Sequence, residues 1–214
     1  MRKLIVAAVV VLALLFGLDR LTAVYASHRI ATQLKQTEAL SQTPSVTIHG
    51  FPLLTQVVHE QFQDVEVVVS DYTKTHVVTI KRIDVHLRHA HVNMTDALFG
   101  RTTTVPVQRV NAVVLIGYDA LNRAHPALSF GYAGHGAVAV SGGIPFPGLH
   151  VGASITGHLT LNANKFSVGV GSFVVTTELP PLPFSFRLTS IRATSTGIEI
   201  SGGADNVVLR QAGA

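Results

Sequence analysis

The first hydrophobic feature of the chain is an uninterrupted apolar run at residues 4–18, which follows two cations and is closed by Asp19 and Arg20. A cationic start followed by such a run is typical of a secretory leader. Fifteen helical residues span roughly 22 Å, which is short of the ~30 Å hydrocarbon core of a bilayer. We therefore predict that residues 1–26 form either a signal peptide cleaved after Ala26 or an uncleaved N-terminal membrane anchor.

Residues 21–40 continue this segment with a different pattern, in which apolar positions recur at helical spacing and polar residues fill the gaps. The pattern predicts an amphipathic helix that follows the leader without a break. Its apolar stripe requires a partner, and the sheet that follows is the nearest candidate. The predicted stripe consists of Leu21, Val24, Tyr25, Ile30 and Leu34.

The chain beyond Pro44 is dominated by short apolar runs with Gly, Pro or Asn near many of their boundaries, a pattern typical of β-strands. The spacing favours a mostly antiparallel, β-dominated α+β fold. Because β domains often reach this length, residues 27–214 are read as one domain. The predicted strands are 45–48, 65–70, 77–92, 110–116, 137–140, 151–156, 166–175, 184–193 and 197–201.

The clearest alternation lies within residues 83–88, where apolar and polar side chains follow each other one by one. Successive side chains of a strand point to opposite faces of its sheet. We therefore expect one dry face, which carries Ile83, Val85 and Leu87, and one wet face, which carries Asp84, His86 and Arg88.

Three short helices are predicted between the strands, at 51–58, 95–99 and 118–125. The first has a proline in its first turn and gathers Phe51, Leu54, Val57 and Val58 on one side. Apolar residues in such helices usually pack into a core. They can also line an apolar groove between a helix and a curved sheet, and both readings stay open.

Composition narrows the class of function. Hydrophobic residues make up 47% of the chain and charged residues 13%, which is a low charge for a fully hydrated surface. The formal net charge of +4 comes from scattered residues, so we expect no nucleic-acid partner. With no cysteine, disulfides, thiol nucleophiles and zinc–thiolate sites are excluded.

Catalytic and metal-binding patterns are weak. His86, His89 and His91 form the one histidine cluster, but on a regular strand only the last two share a face. The sequence has no Gly-x-Ser-x-Gly elbow and no distinctive pair of carboxylates. We therefore assign no catalytic residue, no metal ligand and no cofactor.

Four parts of the chain, taken together and in order, resemble one family. They are the leader with its helix to Leu40, the segment from Val46 to Gln56 that contains Gly50-Phe51-Pro52-Leu53-Leu54-Thr55-Gln56, the segment Tyr118-Asp119-Ala120-Leu121-Asn122-Arg123, and residues 188–200. The family is the actinobacterial group of exported proteins typified by the mycobacterial envelope protein LmeA. The Gly50–Gln56 segment is its most specific element.

The resemblance implies a curved antiparallel sheet similar to the tubular lipid-binding fold of bactericidal/permeability-increasing protein. It also implies a cell-envelope protein that binds phospholipid, with phosphatidylinositol and its mannosides as candidates, and that supports lipomannan and lipoarabinomannan maturation. Its expected place is the periplasm or the outer face of the plasma membrane. The candidate lipid-binding residues are Phe51, Leu54, Val57, Val58, Leu98, Phe99 and Leu121.

Two alternatives remain open at this point. The protein could be a non-catalytic partner that stabilises membrane glycosyltransferases, such as a mannosyltransferase, or an envelope hydrolase without a recognisable motif. The first alternative is compatible with lipid binding.

Overall fold

A computed structural model describes most of the chain. The described residues are 2–37, 40–72, 79–98, 104–142, 154–162, 165–170, 173–178 and 186–210. By backbone proximity the chain forms two compact units. The first contains Met1–Val68, Val85–Val110 and Asp205–Ala214, and the second contains Val69–Asp84 and Asn111–Ala204. The expectation of a single domain stays a prediction.

Four helices and eleven strands occur within the described residues. The helices are α1 (Arg2–Thr37), α2 (Leu53–Val58), α3 (Met94–Leu98) and α4 (Tyr118–Ala124). The strands are β1 (Ser45–His49), β2 (Gln61–Tyr72), β3 (Ile80–His91), β4 (Thr104–Ile116), β5 (Leu128–Gly134), β6 (Ala137–Gly142), β7 (Ile155–Asn162), β8 (Lys165–Val170), β9 (Phe173–Glu178), β10 (Arg187–Thr194) and β11 (Gly197–Arg210).

The strands form two curved sheets that are not closed into a barrel. One sheet has the order β1-β2-β3-β4-β11-β10 and the other has the order β5-β6-β7-β8-β9. β1 pairs with β2 and β10 pairs with β11 in antiparallel register, as do the neighbours of the second sheet. The β-dominated α+β class with a long N-terminal helix is thus confirmed.

Helix α1 covers both the predicted leader and the predicted amphipathic helix without interruption. It packs against β1 and α2, so the expected contact between the helix and the sheet is confirmed. Judged by length and hydropathy together, no helix among the described residues qualifies as a membrane span.

The side of α1 that packs inward differs from the predicted stripe. Leu21, Val24 and Tyr25 are each about two-thirds exposed, whereas Ala31 is buried and Ala23 is half-buried. Small side chains let a helix backbone approach its neighbour closely, and long apolar ones would hold it away. The prediction that the larger apolar residues face the sheet is therefore wrong for these three positions.

The core of the second unit is formed by α4 and by strands of both sheets. Leu121 of α4 packs among buried strand residues that include Phe130, Phe166 and Ile198. The side chain of Asn122 accepts a hydrogen bond from the Phe130 backbone N–H at 2.7 Å and thereby joins α4 to β5. The family-like segment at residues 118–123 therefore organises this core.

Strands β5, β7, β8 and β9 differ from the sequence prediction. The sequence predicts a strand at 151–156, whereas β7 is Ile155–Asn162 and residues 151–153 lie outside the described part of the chain. The single strand expected at 166–175 is two antiparallel strands, β8 and β9, in which Val170 pairs with Phe173. The sequence between them, Gly-Ser, is a two-residue hairpin signal that outweighs the apolar run. β5 was not predicted, because its glycines lower the strand propensity of the segment.

β3 does not have the dry face that its alternation predicts. All five residues from Ile83 to Leu87 are half-buried, and the wet-face residue Arg88 is exposed. His89 adopts φ +52°, which interrupts the regular extended backbone at the end of the strand. The simple two-face reading of this strand is therefore wrong.

The phenol of Tyr118, in the second unit, makes the stability of the fold depend on pH in the alkaline range. Tyr118 donates a hydrogen bond to the Thr194 carbonyl oxygen at 2.8 Å. Burial, followed by the nearby Tyr132, raises the pKa of Tyr118 to about 12. Because the folded state holds this proton more tightly than the unfolded state, the contribution of Tyr118 is complete below about pH 10 and declines as the pH rises towards 12.

We expect Tyr118→Phe to reduce the dependence of the free energy of unfolding on pH above about pH 10. Urea unfolding of both proteins at several pH values from 8 to 12 measures the effect. The wild type should lose more free energy of unfolding above pH 10 than the variant does. Equal losses would show that Tyr118 titrates normally in the folded state.

Candidate functional site

Helix α2 divides its apolar side chains between the interior and the surface. Leu53 is 2% exposed and Gln56 is 5% exposed, three residues further on and on the same face. Leu54 and Val58, which share another face, are 41% and 79% exposed, and Phe51 just before the helix is 54% exposed. An apolar surface therefore stands beside a buried anchor within one short segment.

The start of α2 is held by a carboxylate from α1. Asp19 is 2% exposed, and its Oδ1 accepts a hydrogen bond from the Leu54 backbone N–H at 2.9 Å. Its Oδ2 accepts one from Nη2 of Arg20 at 3.1 Å. The same Nη2 donates to the Gly50 carbonyl oxygen at 3.2 Å. Since the first N–H groups of a helix lack intrahelical partners, Asp19 satisfies one of them from 35 residues away.

The turn before α2 depends on Gly50 and Gln56. Gly50 has φ +98°, and a Cβ there would lie 2.7 Å from Nε2 of Gln56. The Gln56 amide donates to the His49 carbonyl oxygen at 3.3 Å and accepts from the Gln63 backbone N–H at 2.9 Å. Thr55 Oγ1 donates to the Pro52 carbonyl oxygen at 2.8 Å. The polar members of the Gly50–Gln56 segment are thus used to build the turn and the helix.

An aromatic pair and a cation lie at the edge of the exposed surface. The rings of Phe16 and Phe51 have centroids 5.3 Å apart. Cζ of Arg20 lies 5.1 Å from the Phe51 centroid and 5.7 Å from the Phe16 centroid. The Arg20 side chain is 42% exposed, so a guanidinium borders an apolar patch. We call the exposed residues Phe16, Phe51, Leu54 and Val58, together with Arg20, the α2 surface.

The remaining predicted lipid-binding residues do not all belong to this surface. Val57 is half-buried on α2. Leu98 ends α3, but its side chain lies outside the described part of the structure, as does the whole of Phe99. Leu121 is 1% exposed in the core of the second unit. Lipid binding by each of the seven residues stays a prediction.

Of the three strand histidines, His86 is paired with a carboxylate and the other two are exposed. Nδ1 of His86 lies 3.0 Å from a carboxylate oxygen of Asp64, and His89 and His91 are exposed. His91 borders a mixed polar cavity of about 260 Å³ in the first unit. The cavity is lined by Glu60, His91, Val92, Asn93, Asp96, Thr104 and Pro106.

Sequence reasoning missed the residues that position the α2 surface. Asp19 and Arg20 were read as the polar end of a leader, and Phe16 as one of its apolar residues. The sequence did contain a signal for Asp19, which follows the apolar run directly. If that run packs into the fold, the carboxylate is buried with it and needs hydrogen-bond partners.

The two leucines at the start of α2 offer a matched test of this geometry. We expect Leu53→Ala to lower the free energy of unfolding by about 2–5 kcal/mol, because it empties a buried position. Leu54→Ala should cost less than about 1 kcal/mol, because Leu54 is already 41% exposed. Chemical denaturation of both variants measures the difference. Equal costs would contradict the division of α2 into a buried and an exposed face.

Comparison with known proteins identifies the family. No curated protein and no solved structure matches the chain, so the expected likeness to a tubular lipid-binding fold stays a prediction. The sequence model of one family, described as LmeA-like phospholipid-binding, matches residues 17–203, which include α2 and the residues that hold it. This chain therefore belongs to the LmeA-like phospholipid-binding family.

Proposed function

We propose that the protein binds phospholipid at the α2 surface, outside the cytoplasm, and that it supports the maturation of lipomannan and lipoarabinomannan in the cell envelope. The observation that carries the proposal is the exposure of Phe51, Leu54 and Val58 next to Arg20. Family membership supports the lipid ligand. The envelope glycolipid role comes from the resemblance to the LmeA group.

The α2 surface matches the two chemical parts of a phospholipid. Each acyl methylene buried against apolar side chains contributes about 0.8 kcal/mol, so ten methylenes supply roughly 8 kcal/mol before ordering costs. The guanidinium of Arg20 uses Nη2 for Asp19 and Gly50, which leaves its Nη1 N–H groups as donors for phosphate oxygens. Phosphatidylinositol and its mannosides are the candidate ligands, and their phosphate would lie on the exposed side of Arg20.

A binding role accounts for the α2 surface better than a catalytic one does. The family is described by the ligand that it binds. Thr55 and Gln56, the polar side chains of the segment, are engaged with backbone groups of Pro52, His49 and Gln63. The segment therefore offers a shaped apolar surface, and its polar groups serve the protein's own fold.

Leu54→Asp tests the proposed lipid site. A carboxylate at an exposed position can stay hydrated in the free protein, whereas contact with acyl chains would remove its water. We expect the variant to unfold cooperatively like the wild type but to lose uptake of phosphatidylinositol from vesicles, measured by native mass spectrometry. Ser45→Asp, which adds the same charge at an exposed position of β1 in the same unit, is the control.

Uptake by Leu54→Asp at the wild-type level would contradict the α2 surface as the lipid site. A wild-type protein without co-purified lipid and without uptake would contradict lipid binding itself. That result would favour the alternative, in which the protein stabilises a membrane mannosyltransferase. Co-purification of a mannosyltransferase with the tagged protein from envelope membranes would then test this alternative.

Export is tested with a reporter fused after Ala214. We expect a reporter that is active only outside the cytoplasm to give full signal, and deletion of residues 1–18 to trap the fusion inside, because the deletion removes the apolar run. Reporter activity in the cytoplasm for the full-length fusion would contradict the proposed location.

A further inference from the structure

Helix α1 carries a continuous exposed apolar stripe on the side that does not face β1. Leu14, Leu18, Leu21 and Tyr25 are 63%, 57%, 69% and 65% exposed. Their spacing of four, three and four residues places them in one line along the helix. A row of large apolar side chains in water marks a surface that meets an apolar partner.

The opposite side of the same helix is part of the folded unit. Asp19 caps α2, and Ala31 is 5% exposed. Removal of residues 1–26 would take away the Asp19 carboxylate and leave the Leu54 N–H without its partner. The family match, which begins at residue 17, likewise includes this part of α1.

A cation beside the stripe points to a bilayer as its partner. Cζ of Arg29 lies 5.8 Å from the centroid of the Tyr25 ring. Tyrosine and arginine next to exposed leucines are the combination found at the level of lipid headgroups, where cations meet phosphates and apolar chains reach below them. In the sequence, the stripe is preceded by further uncharged residues, which start after Arg2 and Lys3.

We infer that the leader is not removed after Ala26: the exported protein keeps α1, and the stripe Leu14, Leu18, Leu21 and Tyr25 lies in the interface of a phospholipid bilayer. The inference rests on the proposed export. It goes beyond the proposed function, because it assigns a membrane-attachment surface distinct from the α2 surface and makes the leader a permanent part of the fold.

The first test reads the N-terminus of the mature protein. The full chain, with a tag after Ala214, is purified from the envelope of an exporting bacterial host, and its intact mass and N-terminal sequence are measured. We expect residues 19–26 to be present. A mature protein that begins at Ser27 would overturn the inference. The reporter fusion reads export separately, so failure of export and cleavage of the leader give different results.

The same preparation allows a stability test. Asp19→Ala should lower the Tm of the mature protein by roughly 2–4 °C, the usual effect of losing one helix cap in a chain of this size. Asp19→Asn keeps an acceptor oxygen and should recover most of the shift. Asp205→Ala, at a carboxylate that is 65% exposed, is the control with no expected shift. A mature Asp19→Ala protein with the wild-type Tm would overturn the inference.

The second test addresses the bilayer. Leu21→Asp should weaken flotation of the mature protein with vesicles of phosphatidylcholine and phosphatidylglycerol by roughly tenfold or more, because it places a charge in the apolar stripe. Gln33→Asp adds the same charge at an exposed position of α1 that lies about a quarter turn off the line of the stripe, and it should float as the wild type does. Equal flotation of the two variants would overturn the interface assignment. Leu54→Asp, which tests lipid uptake, should leave flotation unchanged.

Discussion

The arrangement of the candidate site depends on the buried carboxylate of Asp19. Taking a carboxylate out of water costs several kcal/mol unless hydrogen bonds replace its hydration. Here the Leu54 N–H and the Arg20 guanidinium supply those bonds, and Arg20 in turn reaches the Gly50 carbonyl oxygen. Because the cost of burial is recovered only when all of these groups are in place, the rotation of α1 and the start of α2 are fixed together.

This constraint determines which side chains of α2 meet solvent. A helix that begins at Leu53 with its second N–H held by Asp19 has to turn Leu53 and Gln56 inward. Leu54 and Val58 then face outward by the helical period alone. Polar and apolar members of the segment consequently have different tasks. Gly50, Thr55 and Gln56 shape the backbone, and the exposed apolar residues supply a surface that suits lipid chains.

Local patterns in the sequence predicted the elements better than they predicted the site. The helices at α2 and α4 were predicted to within a few residues, because proline, acidic first-turn residues and apolar spacing are local signals. β5 was missed because it depends on Asn122 and on pairing with β6, which are contacts from outside the strand. The Gly-Ser sequence between β8 and β9 is a local hairpin signal, yet the predicted strand at 166–175 runs through it.

The candidate site illustrates the limit of periodicity most clearly. An apolar position on a helix shows the same pattern whether it faces a core or a ligand, so Phe51 and Leu54 could not be placed from the sequence. What separates them from Leu53 is the bond between Asp19 and Leu54, which joins residues 35 positions apart. The same bond changes the interpretation of residues 1–26, because a segment that supplies a buried cap to the fold has a structural role. In α1, one face therefore stabilises the protein while the other exposes an apolar stripe, and a continuous helix keeps the two faces in fixed register.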